Sequence, residues 1–186
     1  MTTEALIFLG QLDPEALGPS LEHATHYEPT PVEHVATLLD AIPIPLEGAT
    51  FVDLGCGMGR VLLLAARRPF RQVIGVDFSP ALCEIARENL AAYDKTLRRC
   101  RDVRVVRADA KTFALPRGDL VVYIYNPFRG AVMHAVAERL ARPAGEEREL
   151  IVIYHTPLER AVIDATGAFE ILAEFPCGVV YRRVLR

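Results

Sequence analysis

Three alternating glycines, Gly55, Gly57 and Gly59, end the apolar run Phe51-Val-Asp-Leu54 and precede Leu62, Leu63, Leu64, Ala65 and Ala66. Without a Cβ, backbone turns sharply there and approaches a ligand more closely than most side chains would permit. A second apolar run, Gln72-Val-Ile-Gly-Val-Asp77, ends in a carboxylate. It falls about 20 residues past the glycines, where an acidic side chain is placed to accept both hydroxyls of a ribose. These residue types in this order serve recognition of a nucleoside cofactor.

Two further strand ends carry polar groups. Val103 to Ala108 is followed by Asp109-Ala110, and Asp119-Leu-Val-Val-Tyr-Ile-Tyr125 by Asn126-Pro127-Phe128. Asn and Pro are turn formers, so the second motif reads either as a strand-ending turn or as polar chemistry at the ligand-facing end of a sheet. Asp77 could instead cap the following helix, but Ser79 already fills that place. His23 and His26 have ligand spacing without a third ligand nearby and read as a solvated helix face, so no metal site is expected. His155, ending the fifth strand, reads either as a residue lining the pocket or, by preference, as a hydrogen-bonded structural histidine. Arg98, Arg99, Arg101, Arg104 and Arg107 lack interleaved aromatics and read as a solvated edge rather than a nucleic-acid track.

The elements that must position these groups follow from periodicity. Thr30-Pro-Val-Glu33 reads as a capping box opening a helix with Val32, Val35, Ala36 and Leu39 on one face. Strands are predicted at Thr50 to Cys56, Gln72 to Asp77, Val103 to Ala108, Asp119 to Tyr125 and Glu149 to Tyr154. Helices are predicted from Arg60 to Arg67, from Ser79-Pro80 through Leu90, and along Val132, Met133, Val136 and Leu140. A second capping box, Thr156-Pro-Leu-Glu159, opens a helix that stops near Gly167. Phe169 to Phe175 and Val179 to Leu185 are separated only by Pro176-Cys-Gly178, too short for a crossover helix, and are predicted to pair as an antiparallel hairpin. The chain of 186 residues has room for one sizeable core. We expect an arm or lid over residues 1–30, with a helix starting at Asp13-Pro14, and a ligand-binding domain over residues 31–186. No apolar run approaches the roughly 18 to 20 residues of a membrane span. The absence of a basic N-terminal flank and of any C-x-x-C pair predicts a cytoplasmic protein, without disulfides or zinc. The net charge of −3 implies no nucleic-acid partner by itself.

Strands alternating with helices predict a doubly wound α/β sheet with ligands at the carboxyl ends of its strands. A dinucleotide site expects G-x-G-x-x-G; here Gly59 stands one position early and Arg60 occupies the place of the third glycine. The chain instead resembles the class I S-adenosylmethionine-dependent methyltransferases over most of residues 30 to 186. Asp53-Leu-Gly55-Cys-Gly57-Met-Gly59 is similar to their first motif, Asp77 to the acidic end of the second strand, and Asp109-Ala110 to the acidic site after the third. Asn126-Pro127-Phe128 resembles the (Asp/Asn)-Pro-Pro-(Tyr/Phe) motif of amine methylators, with one proline in place of two. Tyr27, ahead of Pro29-Thr30, is similar to a cofactor-covering tyrosine in some protein-lysine methyltransferases of that class; core or surface packing is its other reading.

The resemblance implies a mostly parallel seven-stranded sheet ending in an antiparallel hairpin, with S-adenosylmethionine as cofactor. It implies glycine-turn amides at the methionyl carboxylate, with Asp53 near the ammonium or bracing the turn. It also implies Asp77 on the ribose, Asp109 near the adenine amine, and Asn126, Pro127 and Phe128 facing the methyl acceptor. A protein amine or a small molecule is the favoured acceptor. The rival readings are a non-catalytic module that binds the cofactor or its demethylated product, and a nicotinamide-dependent oxidoreductase.

Overall fold

The computed structural model describes residues 30–125, 128–142 and 148–184. In chain order the elements are α1 (Val32–Asp40), β1 (Thr50–Leu54), α2 (Arg60–Ala65), β2 (Gln72–Asp77), α3 (Pro80–Ala92), β3 (Val103–Arg107), β4 (Leu120–Tyr125), α4 (Gly130–Ala141), β5 (Leu150–His155), α5 (Arg160–Asp164), β6 (Phe169–Phe175) and β7 (Gly178–Arg183). One seven-stranded sheet runs in the order β3-β2-β1-β4-β5-β7-β6. The strands β3, β2, β1, β4 and β5 are parallel neighbours, and β7 pairs antiparallel with both β5 and β6. The α/β alternation and the terminal hairpin are thus both present. The hairpin enters the sheet through its second strand, which places β7 between β5 and β6.

The inner strands β1 and β5 are buried along their whole length, and β4 up to Tyr125, because each face meets its own layer. Phe51, Val73, Val121, Tyr123, Ile151, Ile153 and Val180 pack with Val35, Leu38 and Leu39 of α1, with α2, and with Leu90 at the end of α3. The alternate residues Val52, Ile74, Val76, Val122, Ile124, Val152 and Tyr181 pack with Met133, Val136 and Leu140 of α4 and Ile163 of α5. The period of two in each strand therefore sorts one apolar sequence into two cores. At the exposed edge strand β3, Arg99, Arg101, Arg104 and Arg107 are solvated, which suits an edge that must not recruit another strand. Arg98 differs: it is half-buried and donates to the carbonyls of Leu90 and Tyr93 at the end of α3.

Both expected capping boxes are corrected by the structure. The helix after Thr30 begins at Val32 with no side-chain cap at Pro31, and the buried Thr30 hydroxyl bonds Tyr123 instead. The helix after Thr156 begins only at Arg160, without a side-chain cap. Glu159 turns away from its own helix, and its two carboxylate oxygens each accept from the Gly130 N–H at 3.0 Å. In both cases a tertiary partner outcompetes the local one. Ser79, by contrast, caps α3 as expected, its hydroxyl accepting from the Leu82 N–H at 3.3 Å. The helix start at Asp13-Pro14 and the arm up to residue 29 lie outside the described residues.

Gly75 in β2 lets α2 and the glycine turn close onto the sheet. A Cβ there would stand 2.5 Å from Leu62 Cδ1 and 2.8 Å from Cys56 Sγ. Gly75→Ala is expected to destabilise the fold by ~1–3 kcal/mol, the range for overpacking a filled core. Urea unfolding reads this as a lower midpoint at unchanged slope; an unaltered midpoint would refute the packing argument.

Candidate cofactor site at the carboxyl ends of β1 and β2

β1 lies between β2 and β4, so the winding of the chain reverses beside it. Connections leaving the strands diverge to opposite faces at such a reversal and open a crevice, the usual ligand site of open α/β sheets. Asp53 is in β1 and the glycine turn follows it; Asp77 ends β2. Gly55, Gly57 and Gly59 all have left-handed backbone, with φ of 83°, 52° and 83°. A side chain in that conformation costs roughly 1–2 kcal/mol per residue, so the turn requires its glycines.

The turn is held from several sides. The Gly55 and Cys56 N–H groups donate to the Val76 carbonyl at 2.8 and 3.1 Å. Asp77 Oδ2 accepts from the Gly57 N–H at 3.0 Å while Oδ1 accepts from Ser79 at 2.9 Å. Asn89, buried on α3, donates to the Met58 carbonyl at 3.0 Å. Burial pushes the Asp77 carboxyl above its usual range, opposed by N–H groups of Ser79, Gly57 and Phe78. A carboxylate has about four acceptor positions, so each oxygen of Asp77 keeps capacity for a ligand hydroxyl.

Asp53 is only 2 % exposed. Burial first, and the neighbouring Asp77 second, push its carboxyl up to about 8. Among the described residues no ion pair or hydrogen bond is formed with that carboxylate. Two buried acids beside a turn of left-handed backbone make an acidic cradle. An ammonium group and ribose hydroxyls fit it in sign and in hydrogen-bonding capacity.

After β3, Asp109 Oδ1 accepts from the Lys111 N–H at 2.8 Å, and its other oxygen lies 3.4 Å from Lys111 Nζ. The adjacent Ala110 is buried, and its carbonyl accepts from Arg139 of α4 at 2.7 Å. Arg139 also bonds the Phe113 carbonyl, so α4 fixes this loop from the far side of the sheet. Phe128 is buried in the core on the α4 face. Tyr27, Asn126 and Pro127 lie outside the described residues. No cluster of three or more metal-ligating side chains occurs among the described residues.

A polar chain runs beside the cradle on the α1 face. Tyr123, the register neighbour of Asp53, places its hydroxyl 2.7 Å from His155 Nδ1. His155 Nε2 lies 3.3 Å from His34 Nδ1 on α1, and Tyr125 stacks on the His155 ring at 4.4 Å between centroids. Reading His155 as a hydrogen-bonded histidine is borne out. Its partners were invisible in the sequence, where they stand 32 and 121 residues away. Burial, then His34, hold His155 down at about 4.

These two groups act on stability in opposite directions. Asp53 binds a proton in the folded state between its ordinary carboxylate range and about 8, so its contribution is lost as pH rises through that window. His155 refuses a proton that the unfolded chain accepts near 6.5, so its contribution is lost as pH falls from there to about 4. Asp53→Asn is therefore expected to gain in melting temperature relative to the native protein as pH increases from 5 to 8.5. A difference that does not change with pH would overturn the burial-raised acid.

Against known families, residues 51–145, just over half of the chain, match the family model described as "Methyltransferase domain". A trans-aconitate 2-methyltransferase of Methylobacterium radiotolerans is 35% identical over 100 residues, covering 53% of this chain and 34% of that protein. A ribosomal protein L11 methyltransferase of Pelobacter propionicus is 40% identical over 65 residues, covering 35% of this chain and 21% of that protein. The matched region thus spans well under half of either relative. Among solved structures, the putative methyltransferase yhhF from Escherichia coli superposes with a TM-score of 0.67 at 19% identity, covering 86% of this chain and 90% of that one. With the sheet order, the glycine turn and the paired acids in place, the chain belongs to the methyltransferase-domain family, with the class I fold and S-adenosylmethionine as its cofactor.

Proposed function

We propose that this chain catalyses methyl transfer from S-adenosylmethionine to an amine of a protein or a small molecule. The cofactor supplies a sulfonium methyl already activated for in-line displacement, so the protein need mainly align the partners and exclude water. In this reading the Gly55–Gly59 turn receives the methionyl carboxylate and Asp53 the ammonium. Asp77 takes the ribose hydroxyls, with Asp109 and Ala110 beside the adenine. Tyr27, in an arm or lid over residues 1–30, covers the cofactor. Asn126, Pro127 and Phe128 face the acceptor at the end of β4.

The single observation that carries the reading is the buried Asp53 carboxyl, without a cationic partner among the described residues, next to the left-handed glycine turn. The amine is supported by the likeness of Asn126-Pro127-Phe128 to an amine-methylator motif. The relatives matched are named for a small carboxylic acid, a ribosomal protein and a tRNA adenine, so acceptors diverge widely among them. Free thiols at Cys56, Cys83, Cys100 and Cys177 support a reducing, cytoplasmic setting. No described helix is long and apolar enough to cross a membrane.

Thermal shift with S-adenosylmethionine, S-adenosylhomocysteine and NAD should show stabilisation by the first two alone. Stabilisation by NAD instead would favour the oxidoreductase. Labelled S-adenosylmethionine in fractionated lysate should place label in protein or small amines; label in RNA would displace the amine reading, and no label at all would leave a binding module. Asp77→Ala should lose about 2–4 kcal/mol of S-adenosylhomocysteine affinity by calorimetry while remaining folded. A loss under ~1 kcal/mol, a few-fold in affinity, would count against its ribose role.

A further inference from the structure

Tyr125, the last residue of β4, stands in a row of residues that crosses the sheet at its carboxyl end. Register pairs Leu54 of β1 with Val76 of β2 and with Ile124 of β4. One step further along all three strands, Gly55 is flanked by Asp77 on one side and by Tyr125 on the other. The row continues from Tyr125 to His155 in β5 and Gly178 in β7. Neighbouring strands lie about 4.8 Å apart, so about 10 Å separates the Asp77 and Tyr125 backbones, with the first glycine of the turn between them. Residues in register on parallel strands share a face, and here it is the α1 face that also carries Asp53.

The orientation of the Tyr125 ring follows from its neighbour. It stacks on the His155 imidazole with 4.4 Å between centroids and 18° between planes. That separation is close to the strand spacing of about 4.8 Å, so the rings stack side by side along the line from β4 to β5. His155 therefore covers the face of Tyr125 that looks toward β5, and the opposite face looks toward β1 and the glycine turn. His155 is held at both ring nitrogens, 2.7 Å from the Tyr123 hydroxyl and 3.3 Å from His34 Nδ1. These contacts fix the plane on which Tyr125 rests, whichever nitrogen carries the ring proton. Burial, then His34, keep that imidazole uncharged at neutral pH, so no positive charge backs the stack. Tyr125 itself is only half-buried, whereas the rest of β4 is buried.

The face of a tyrosine ring is electron-rich and attracts a cation placed over it. We propose that Tyr125 is a cofactor-contacting residue whose ring faces the sulfonium and distinguishes the charged methyl donor from its neutral, demethylated product. The proposal rests on the cofactor reading for where the donor lies; the row of residues and the stack stand without it. The sulfonium of S-adenosylmethionine is joined to the ribose through a single methylene carbon. With the ribose on Asp77 and the methionyl carboxylate on the turn, the sulfur falls between Gly55 and Tyr125, and its methyl points to the end of β4. Donor and product share their ribose, adenine and methionyl contacts, so only the sulfonium registers the ring. Transfer of the methyl removes the charge and with it the attraction, which favours release of the product before the next donor binds.

Calorimetry with each ligand on the native protein and two variants tests this role. Tyr125→Leu should lower affinity for S-adenosylmethionine about three- to tenfold and that for S-adenosylhomocysteine less than about twofold. Tyr125→Phe, which keeps a ring, should restore most of the native ratio. Equal losses for both ligands mark Tyr125 as a packing wall and overturn the proposal, as does a ratio that neither variant changes. Should Tyr125→Leu fail to fold by circular dichroism, Tyr125→Trp decides. The chain has no tryptophan of its own, so emission from that variant reports this position alone. It should respond to S-adenosylmethionine more strongly than to S-adenosylhomocysteine, and an equal or absent response overturns the role. If the native protein binds neither ligand, the cofactor reading itself falls and takes the role with it. If it binds both and the ratio does not move, only the role of Tyr125 falls.

Discussion

The ends of β1 and β2 are joined by one carboxylate that accepts two backbone N–H groups. Asp77 bonds Gly57 in the turn after β1 and Ser79 at the start of α3. The glycine turn, the entry to α3 and the mouth of the crevice therefore share one anchor. Ser79 in turn caps α3, and Asn89 on that helix reaches back to the turn at Met58. The result is a closed circuit of backbone and side-chain bonds around the cofactor position. Such a turn is formed before the ligand arrives, so binding need not order it.

Placing Asp53 against Asp77 in a buried crevice is unfavourable for the free protein. Desolvation and like charge both act against ionisation of Asp53, and no described group relieves them. A structural role alone would be served better by an apolar residue, since a buried charge without a partner destabilises. The arrangement becomes favourable when a cation enters, because the same low dielectric that penalises the lone acid strengthens its pairing. On the proposed reading, stability is lower in the free protein and binding tighter in the complex, a pattern common at functional sites.

On the α1 face the polar requirements are met differently. Tyr123, His155 and His34 bond one another in a chain, and Tyr125 stacks on the His155 ring. This chain joins a helix from the start of the domain to the ends of two late strands. It lies beside Asp53 across the β1–β4 pair. The candidate site is accordingly flanked by two buried acids on one side and by a hydrogen-bonded aromatic network on the α1 face. On the opposite face, Glu159 and Arg139 tie the loops around α4 to α5 and to the segment after β3.

Local patterns in the sequence determined the α/β alternation, the terminal hairpin, the glycine turn and the acids at the ends of β1 and β2. Apolar periodicity, glycine and strand-end carboxylates act within a few residues, so their consequences are legible without a fold. Ser79 could be read as a cap for the same reason. Thr30 and Glu159 carry equally good local signals, yet the tertiary structure gave them to Tyr123 and Gly130. The insertion of β7 beside β5, the pairing of His155 with a helix 121 residues earlier, and the burial of Asp53 against Asp77 were likewise settled only by packing. A local pattern states which bonds a residue can make. Which one it does make depends on the partner the fold brings closest and on whether water still competes there, and both of those exist only once the two cores have closed.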